Sequence, residues 1–200
     1  MIPLLLASAS PRRRELLERL GLPLEVRTPD VDESVREGET AAVYVTRIAH
    51  AKALAVGRQP GQWVLAADTT VTVDGAILGK AESPEEAAKM LRWLSGRTHQ
   101  VLTAYVVVGD RNDKQVYADG LVSTDVDVIE LDAAMLADYV ASGEWRGKAG
   151  AYAIQGIGSA IVREVRGSVT NVIGLPVVEV LATLRGLGGP VARFSSGQPS

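Results

Sequence analysis

Apolar residues recur along the chain in patterns that separate strands from helices. Apolar runs and alternating apolar positions predict strands over residues 2–7, 24–27, 63–67, 71–73, 76–78, 99–108, 115–129 and 160–165. Apolar residues at helical spacing predict helices over residues 11–20, 40–56, 84–94, 133–142 and 176–187. Strands and helices alternate early and antiparallel hairpins follow, so we expect an α/β protein built on a mixed sheet.

Capping and turn residues mark the ends of these elements. Ser10-Pro11 and Ser83-Pro84 each place a capping hydroxyl before a proline that suits the first helical position. Asp132 is a third helix cap, and Asp74-Gly75 lies between apolar runs as in a tight hairpin. Residues 171–174 form a loop or a single helical turn. Residues 188–200 are rich in Gly, Ser and Pro and are predicted to be disordered, which leaves residues 1–187 as one domain.

Composition narrows the classes of protein to which the chain can belong. Its 200 residues, 46% of them hydrophobic, can bury the core of one domain with two lobes. A net charge of −3 argues against a nucleic-acid-binding protein, whose surface would be basic. The absence of Cys excludes disulfides and thiol catalysis, and only two His residues make a His-rich zinc site unexpected. The apolar run after Met1 is too short to span a membrane and lacks a basic leader, so we expect a cytoplasmic protein without membrane contact.

The most informative segment is the run of three arginines, residues 12–14, in the first turn of the first predicted helix. Cations are unfavourable at a helix N-terminus, where unpaired backbone N–H groups create a positive potential. An anion such as a phosphate chain, held beyond the end of the preceding strand, would explain this placement. The alternative is an ordinary Ser-Pro helix start with solvated arginines.

A second candidate is Asp68, which we expect where the strand over residues 63–67 ends. A carboxylate there can bind a metal or deprotonate water, although it can equally cap the following hairpin. The acidic loop over residues 30–33 is of a kind that is usually solvated, and Glu33 reaches the site only if this loop folds back toward Asp68. Two carboxylates beside a phosphate chain would favour Mg²⁺ or Mn²⁺.

Further candidates lie on the second helix, after the hairpin and in a Gly-rich segment. Lys52 and Lys80 are suited to neutralise a triphosphate, although single lysines are usually surface residues. The small residues over 147–156 let the backbone approach a ligand closely, and a buried Gln155 could read the edge of a base. A Gly-rich surface loop is the alternative. Walker, Rossmann and serine-hydrolase motifs are absent from the sequence.

Several short sequence motifs follow one another along most of the chain. They are residues 6–13 (LASASPRR), 32–33 (DE), 52–53 (KA), 67–69 (ADT), Lys80, 94–99 (LSGRTH), 147–152 (GKAGAY), 154–156 (IQG) and 174–176 (GLP). Together they closely resemble the Maf family of nucleoside triphosphate pyrophosphatases. Ala81, Trp145 and Val169 depart from residues common in that family, and none of them is a predicted site residue.

The resemblance implies an elongated α/β fold similar to the inosine triphosphatase class, with a mixed β-sheet, flanking helices and two lobes around a central cleft. It implies metal-dependent hydrolysis between the α- and β-phosphates, with Mg²⁺ or Mn²⁺ as cofactor. In the catalytic set, Asp68 would be the general base, Glu33 would assist it or join it in holding the metal, and the phosphate-binding residues would be Lys52 and Lys80. The nucleotide-binding and specificity positions would be Ser8, Arg12, Arg13, Thr69 and Gln155, whereas Arg14 has no counterpart and is expected to be solvated.

The Gly-rich piece resembles the dTTP/UTP branch of the family, since the 7-methyl-GTP branch usually carries Glu where Gln155 stands. We therefore expect a house-cleaning enzyme that acts on dTTP, UTP and modified pyrimidine nucleotides. Two alternatives remain: a 7-methyl-GTP pyrophosphatase of the same family, and a non-catalytic nucleotide-binding regulator of septum formation. The expected partner is a nucleotide rather than nucleic acid or membrane, and a homodimer is left open.

Overall fold

The apolar runs of the chain pair into one mixed sheet, and the amphipathic segments pack on it as helices. A computed structural model describes residues 2–192. In this part of the chain the strands are β1 (Leu4–Ala7), β2 (Leu24–Arg27), β3 (Val64–Val73), β4 (Ala76–Leu78), β5 (Thr98–Arg111), β6 (Lys114–Val128) and β7 (Val162–Arg166). The α-helices described are α1 (Pro11–Glu18), α2 (Ala41–Ala55), α3 (Pro84–Leu94), α4 (Ala133–Ser142), α5 (Val169–Ile173) and α6 (Val177–Leu187). The predicted mixed α/β class is confirmed.

The sheet combines a parallel part with a larger antiparallel part. Its strand order is β2-β1-β3-β5-β6-β7, and β1 runs parallel to both of its neighbours. The remaining pairs are antiparallel. β4 folds back on the end of β3 as the predicted hairpin, whose turn residues Asp74 and Gly75 both have positive φ angles.

β3 is one continuous strand, and the predicted end of a strand at Asp68 is wrong. The strand does not break there because β5 pairs with it along almost its whole length. On its other edge β3 pairs first with β1 and then with β4. Within the described residues, positions 67–70 have no strand partner on that edge, so the sheet has a gap beside Asp68.

Hydrophobic clusters lie on both sides of this gap. One cluster joins α3 and α4 to the later part of β3 and the start of β5, and it encloses Leu91 and Leu94. Another packs α1 and α6 against β1 and the early part of β3, around Leu6 and Leu17. α2 covers the opposite face of β3 and β5. Both long strands therefore belong to the cores on either side of the gap.

The helix starts agree with the predicted caps. The side chains of Ser10, Ser83 and Asp132 each accept a hydrogen bond from a backbone N–H in the first turn of α1, α3 and α4. β7 begins later than predicted because residues Gly156–Ala160 form a short 3-10 helix. Within residues 2–192 no helix is long and apolar enough to cross a membrane. Of the tail predicted to be disordered, residues 193–200 lie outside the described residues.

Candidate active site

A cavity of about 440 Å³ opens at the gap in the sheet. Its walls come from the segment between β1 and α1, the acidic loop, α2, β3, the Gly-rich segment and the end of α5. Every side chain predicted as a site residue lines it: Ser8, Arg12, Arg13, Glu33, Lys52, Asp68, Thr69, Lys80 and Gln155. The fold thus brings residues from both halves of the chain to one place.

Asp68 and Glu33 are joined by a shared lysine. The Nζ atom of Lys52 lies 2.6 Å from Oδ1 of Asp68 and 2.6 Å from Oε1 of Glu33. Lys52 and Asp68 are both buried at 7% exposure, so this ion pair is shielded from bulk water. Lys80 extends the chain of charges, 3.5 Å from Oε2 of Glu33. The acidic loop therefore does fold back toward Asp68, as a role for Glu33 requires.

The charges around Glu33 decide its ionisation. Burial disfavours the carboxylate, but the hydrogen bond and charge of Lys52, together with Lys80, outweigh it and hold the pKa of Glu33 below its usual value. The backbone of the loop is fastened to α2, because Tyr44 donates to the carbonyl of Glu33 over 3.1 Å and Arg47 to that of Ser34 over 2.9 Å. Glu33 is therefore ionised near neutral pH and held at the cavity.

The position of Asp68 argues against its alternative role as a hairpin cap. The hairpin turn is formed by Asp74 and Gly75, several residues along β3. The side chain of Asp68 instead accepts from Lys52 in the gap of the sheet, where β3 has no strand on that edge. Because the other edge of β3 pairs with β5, the backbone under Asp68 is fixed while its carboxylate faces the cavity.

The three consecutive arginines have three different environments. Arg13 is buried, and its guanidinium donates to the carbonyl of Gly174 over 2.7 Å, to Ser8 Oγ over 3.0 Å and to Thr69 Oγ1 over 2.8 Å. Arg12 is partly buried, and only its Nε donates a hydrogen bond, to the carbonyl of Ile173 over 3.3 Å. Burial lowers the pKa of both groups. Arg14 is exposed and pairs with Glu18 over 2.7 Å, as expected for a solvated residue.

These contacts separate the roles predicted for Arg12 and Arg13. Arg13 ties three walls of the cavity together, so its donors are already engaged by the protein. Arg12 keeps its terminal nitrogens for a ligand, since no described residue accepts from them. Thr69 shares the role of Arg13, because its hydroxyl also lies 2.8 Å from Thr103 Oγ1 and 3.3 Å from the Gly174 carbonyl.

The Gly-rich segment forms another wall of the cavity. It is attached to the end of the β3–β4 hairpin by a bridge between Lys80 and Ala149. Tyr152 lines the cavity with its ring, and its hydroxyl lies 2.7 Å from Nε2 of the buried His99. Gln155 lies at the rim and is exposed, so the expectation of a buried Gln is wrong; Gly156, directly after it, has a φ angle of +69°.

Three residues that support or line the site gave no individual signal in the sequence. Asn171 is fully buried and donates to the Val101 carbonyl over 2.9 Å and to Thr124 Oγ1 over 3.0 Å. It thereby anchors α5, at whose end the carbonyls of Ile173 and Gly174 accept from Arg12 and Arg13. Arg146 and Lys148 also line the cavity, although only the Gly-rich segment around them was predicted as a wall.

The cavity is strongly cationic within an acidic protein. Six cationic side chains and two carboxylates line it: Arg12, Arg13, Lys52, Lys80, Arg146 and Lys148, with Glu33 and Asp68. The whole chain carries a net charge of −3. Burial and then the charge of Arg12 lower the pKa of Lys148. Such focused positive charge suits a polyanionic ligand.

Comparisons with known proteins identify a family and several relatives of similar sequence. A family model described as Maf-like protein matches residues 3–187. A protein named dTTP/UTP pyrophosphatase from Anaeromyxobacter dehalogenans (strain 2CP-1 / ATCC BAA-258) is 52% identical over 94% of this chain and 95% of its own length. One of the same name from Sphingopyxis alaskensis is 48% identical over 96% of this chain and 100% of its own length. Among solved structures, the Staphylococcus aureus Ham1 protein matches with a TM-score of 0.38 and 20% identity over 62% of this chain and 71% of that one.

Proposed function

The chain belongs to the Maf-like protein family, and from this premise we propose that it is a nucleotide pyrophosphatase that acts on dTTP and UTP. It hydrolyses the bond between the α- and β-phosphates and releases a nucleoside monophosphate and pyrophosphate. Relatives named dTTP/UTP pyrophosphatase, about half identical over nearly the full length of this chain, support this substrate class. The observation that carries the proposal is the buried carboxylate of Asp68, held at the gap in the sheet inside a cationic cavity.

The cations bind the triphosphate and stabilise the pyrophosphate as it leaves. Arg12 and Lys148 both line the cavity, and Arg12 offers a planar guanidinium suited to a phosphate. Lys80 has a side chain that is 63% exposed and a long contact of 3.5 Å to Glu33, so it can turn toward a phosphate at little cost. Cations fixed before the substrate arrives stabilise the negative charge that develops on the leaving group.

Asp68 acts as the general base. The oxygen of a water molecule forms a bond to the α-phosphorus while the bond from that phosphorus to the bridging oxygen breaks, and the water proton moves to the Asp68 carboxylate. Lys52 holds Oδ1 of that carboxylate at 2.6 Å, and no described residue hydrogen-bonds to Oδ2, which is left to accept the proton. Lys52, itself paired with Glu33, thus orients the carboxylate of Asp68.

The carboxylates also fit a divalent cation. Asp68 and Glu33 both line the cavity and contact the same Lys52 ammonium, so the two carboxylates lie side by side. Mg²⁺ is commonly held by one or two carboxylates together with substrate phosphates, and two carboxylates line this cavity. We assign Asp68 and Glu33 as its protein ligands. A bound Mg²⁺ or Mn²⁺ would supply charge neutralisation at the phosphates.

Gln155 selects the base. Its amide can accept from the imide N–H of a pyrimidine and donate to the neighbouring carbonyl, whereas a carboxylate in its place could only accept. A polar group left unpaired by the wrong base weakens the complex, which gives discrimination. Gln155 lies at the cavity rim, within reach of the base of a nucleotide whose phosphates lie among the cations.

Pyrophosphate release from dTTP, UTP and 7-methyl-GTP, each with and without added Mg²⁺ or Mn²⁺, tests the proposal. We expect release from the two pyrimidine nucleotides only in the presence of metal. A strong preference for 7-methyl-GTP would contradict the substrate assignment. Absence of release from any triphosphate would favour the alternative of a nucleotide-binding regulator.

The substitution Asp68→Asn tests the base. It keeps the shape of the side chain and removes the proton acceptor, so kcat should fall by about 100-fold or more. Asp113→Asn, in the distant turn between β5 and β6, is the matched control and should leave kcat unchanged. Unchanged turnover in Asp68→Asn would remove Asp68 from this role.

A further inference from the structure

The backbone on both sides of Gln155 is fastened from outside the cavity. Tyr139, near the end of α4, accepts a hydrogen bond at its hydroxyl from the N–H of Ala153 over 3.2 Å. Glu144, two residues after α4, accepts from the N–H of Ile157 over 2.9 Å and from that of Gly158 over 3.0 Å. Gln155 lies between these attachments, and its own side chain is exposed.

The carboxylate of Glu144 fits closely against this loop. A Cβ atom added to Gly156 would lie 2.1 Å from Oε1 of Glu144, and the φ angle of Gly156 is +69°. A Cβ atom added to Gly158 would lie 1.8 Å from the carbonyl oxygen of Ala153. Both glycines are therefore needed for the carboxylate and the chain to approach this closely. Residues 154–156 (IQG) thus place Gln155, which lines the cavity, directly before Gly156, against which the carboxylate of Glu144 packs.

We propose that Glu144 is a positioning residue for base selection, which fixes the backbone that directs Gln155 into the cavity. This inference rests on the proposed function, in which Gln155 reads a pyrimidine. Glu144 does not line the cavity and is not in contact with Asp68 or Lys52. The charge of Glu144 also acts on Lys148 of the cavity and opposes the fall in its pKa. That effect is common to every triphosphate, so a change in the choice of base reports on the position of Gln155.

The test compares Glu144→Ala and Glu144→Gln with the control Glu85→Gln, on the exposed side of α3. The measured quantity is the ratio of kcat/KM for UTP to kcat/KM for 7-methyl-GTP. It should fall about tenfold or more in Glu144→Ala, by less in Glu144→Gln, which keeps one acceptor, and not at all in the control. The amides of Ile157 and Gly158 should lose protection from hydrogen exchange in the same order.

The substitution Gln155→Ala, combined with Glu144→Ala, distinguishes a positioning role of Glu144 from a general loss of structure. If Glu144 acts through Gln155, then Glu144→Ala added to Gln155→Ala should lower the ratio no further. A further fall of the same size in the double variant would overturn the inference, as would an equal loss of kcat/KM for both substrates in Glu144→Ala. If Glu144→Ala does not fold, the same comparison with Glu144→Gln decides.

Binding of monophosphates keeps this test independent of turnover. The affinity for UMP relative to 7-methyl-GMP, measured by calorimetry, should fall in Glu144→Ala as the kinetic ratio does. If the unchanged protein hydrolyses no triphosphate, the proposed function fails, and the affinity ratio still decides on Glu144. An affinity ratio equal to that of the unchanged protein would overturn the positioning role.

Discussion

Replacement of His99 by Gln should make the stability of the protein less sensitive to acid. His99 is 2% exposed, its Nε2 lies 2.7 Å from the Tyr152 hydroxyl, and no described residue pairs with its Nδ1. Burial lowers the pKa of His99 to about 4, against a weaker opposing effect of Asp127 and Asp125. Between this value and the ordinary pKa of about 6.5, the unfolded chain binds a proton that the folded protein does not.

The sign and size of the effect follow from this difference. Because the unfolded state is the more protonated one in this range, the free energy of unfolding falls as the pH is lowered from about 6.5 toward 4. At about 1.4 kcal/mol for each pH unit, the loss from His99 is about 2 kcal/mol between pH 7 and pH 5. Glutamine cannot take up the proton but can still bond to Tyr152, so His99→Gln should lose about 2 kcal/mol less over the same interval.

Urea denaturation at pH 7 and pH 5 measures both free energies. His50→Gln is the matched control, because His50 is partly exposed and lies 2.8 Å from Asp119 at the surface. Equal pH dependence in His99→Gln and the unchanged protein would show that His99 is not the group that titrates, and would refute the reasoning.

Three further predictions concern packing, the arginine cluster and charge. Gly109→Ala would place a Cβ atom 2.3 Å from the ring of Trp63, so the free energy of unfolding, measured by thermal denaturation, should fall by about 1–3 kcal/mol. Gly186→Ala, in open space on α6, should raise it by about 0.5–1 kcal/mol. Equal effects of the two substitutions would contradict this reasoning. Arg13→Lys cannot make the three bonds of the guanidinium, so kcat/KM should fall about tenfold or more for every triphosphate, and a loss confined to one base would contradict a role in fastening the walls. Added salt should raise KM for dTTP more than it changes kcat, since cations surround the cavity, and a KM that does not respond would contradict this.

Much of the fold and the site could be predicted because the signals are local. The caps at Ser10, Ser83 and Asp132 depend on residues within one turn, and each is present. The hairpin at Asp74-Gly75 likewise follows from its own residues. The resemblance to a family then selected the residues that share the cavity.

What could not be predicted depends on partners far away in sequence. The difference between Arg12 and Arg13 arises from carbonyls 161 positions along the chain, which no local pattern reveals. The continuity of β3 past Asp68 depends on its ladder with β5, and the support of Gln155 depends on a carboxylate after α4. The exposure of Gln155 likewise depends on how the Gly-rich segment lies at the cavity, which its composition does not reveal.

The two long strands that pass the gap have a mechanical consequence. β3 and β5 extend from one hydrophobic cluster into the other, and their ladder continues behind Asp68 without a break. A hinge motion between the two hydrophobic clusters would have to bend this ladder or break its hydrogen bonds. A nucleotide must therefore enter, and its products leave, through the mouth of the cavity without a rearrangement of the strands beneath it. Asp68 keeps one position on the ladder from substrate binding to product release.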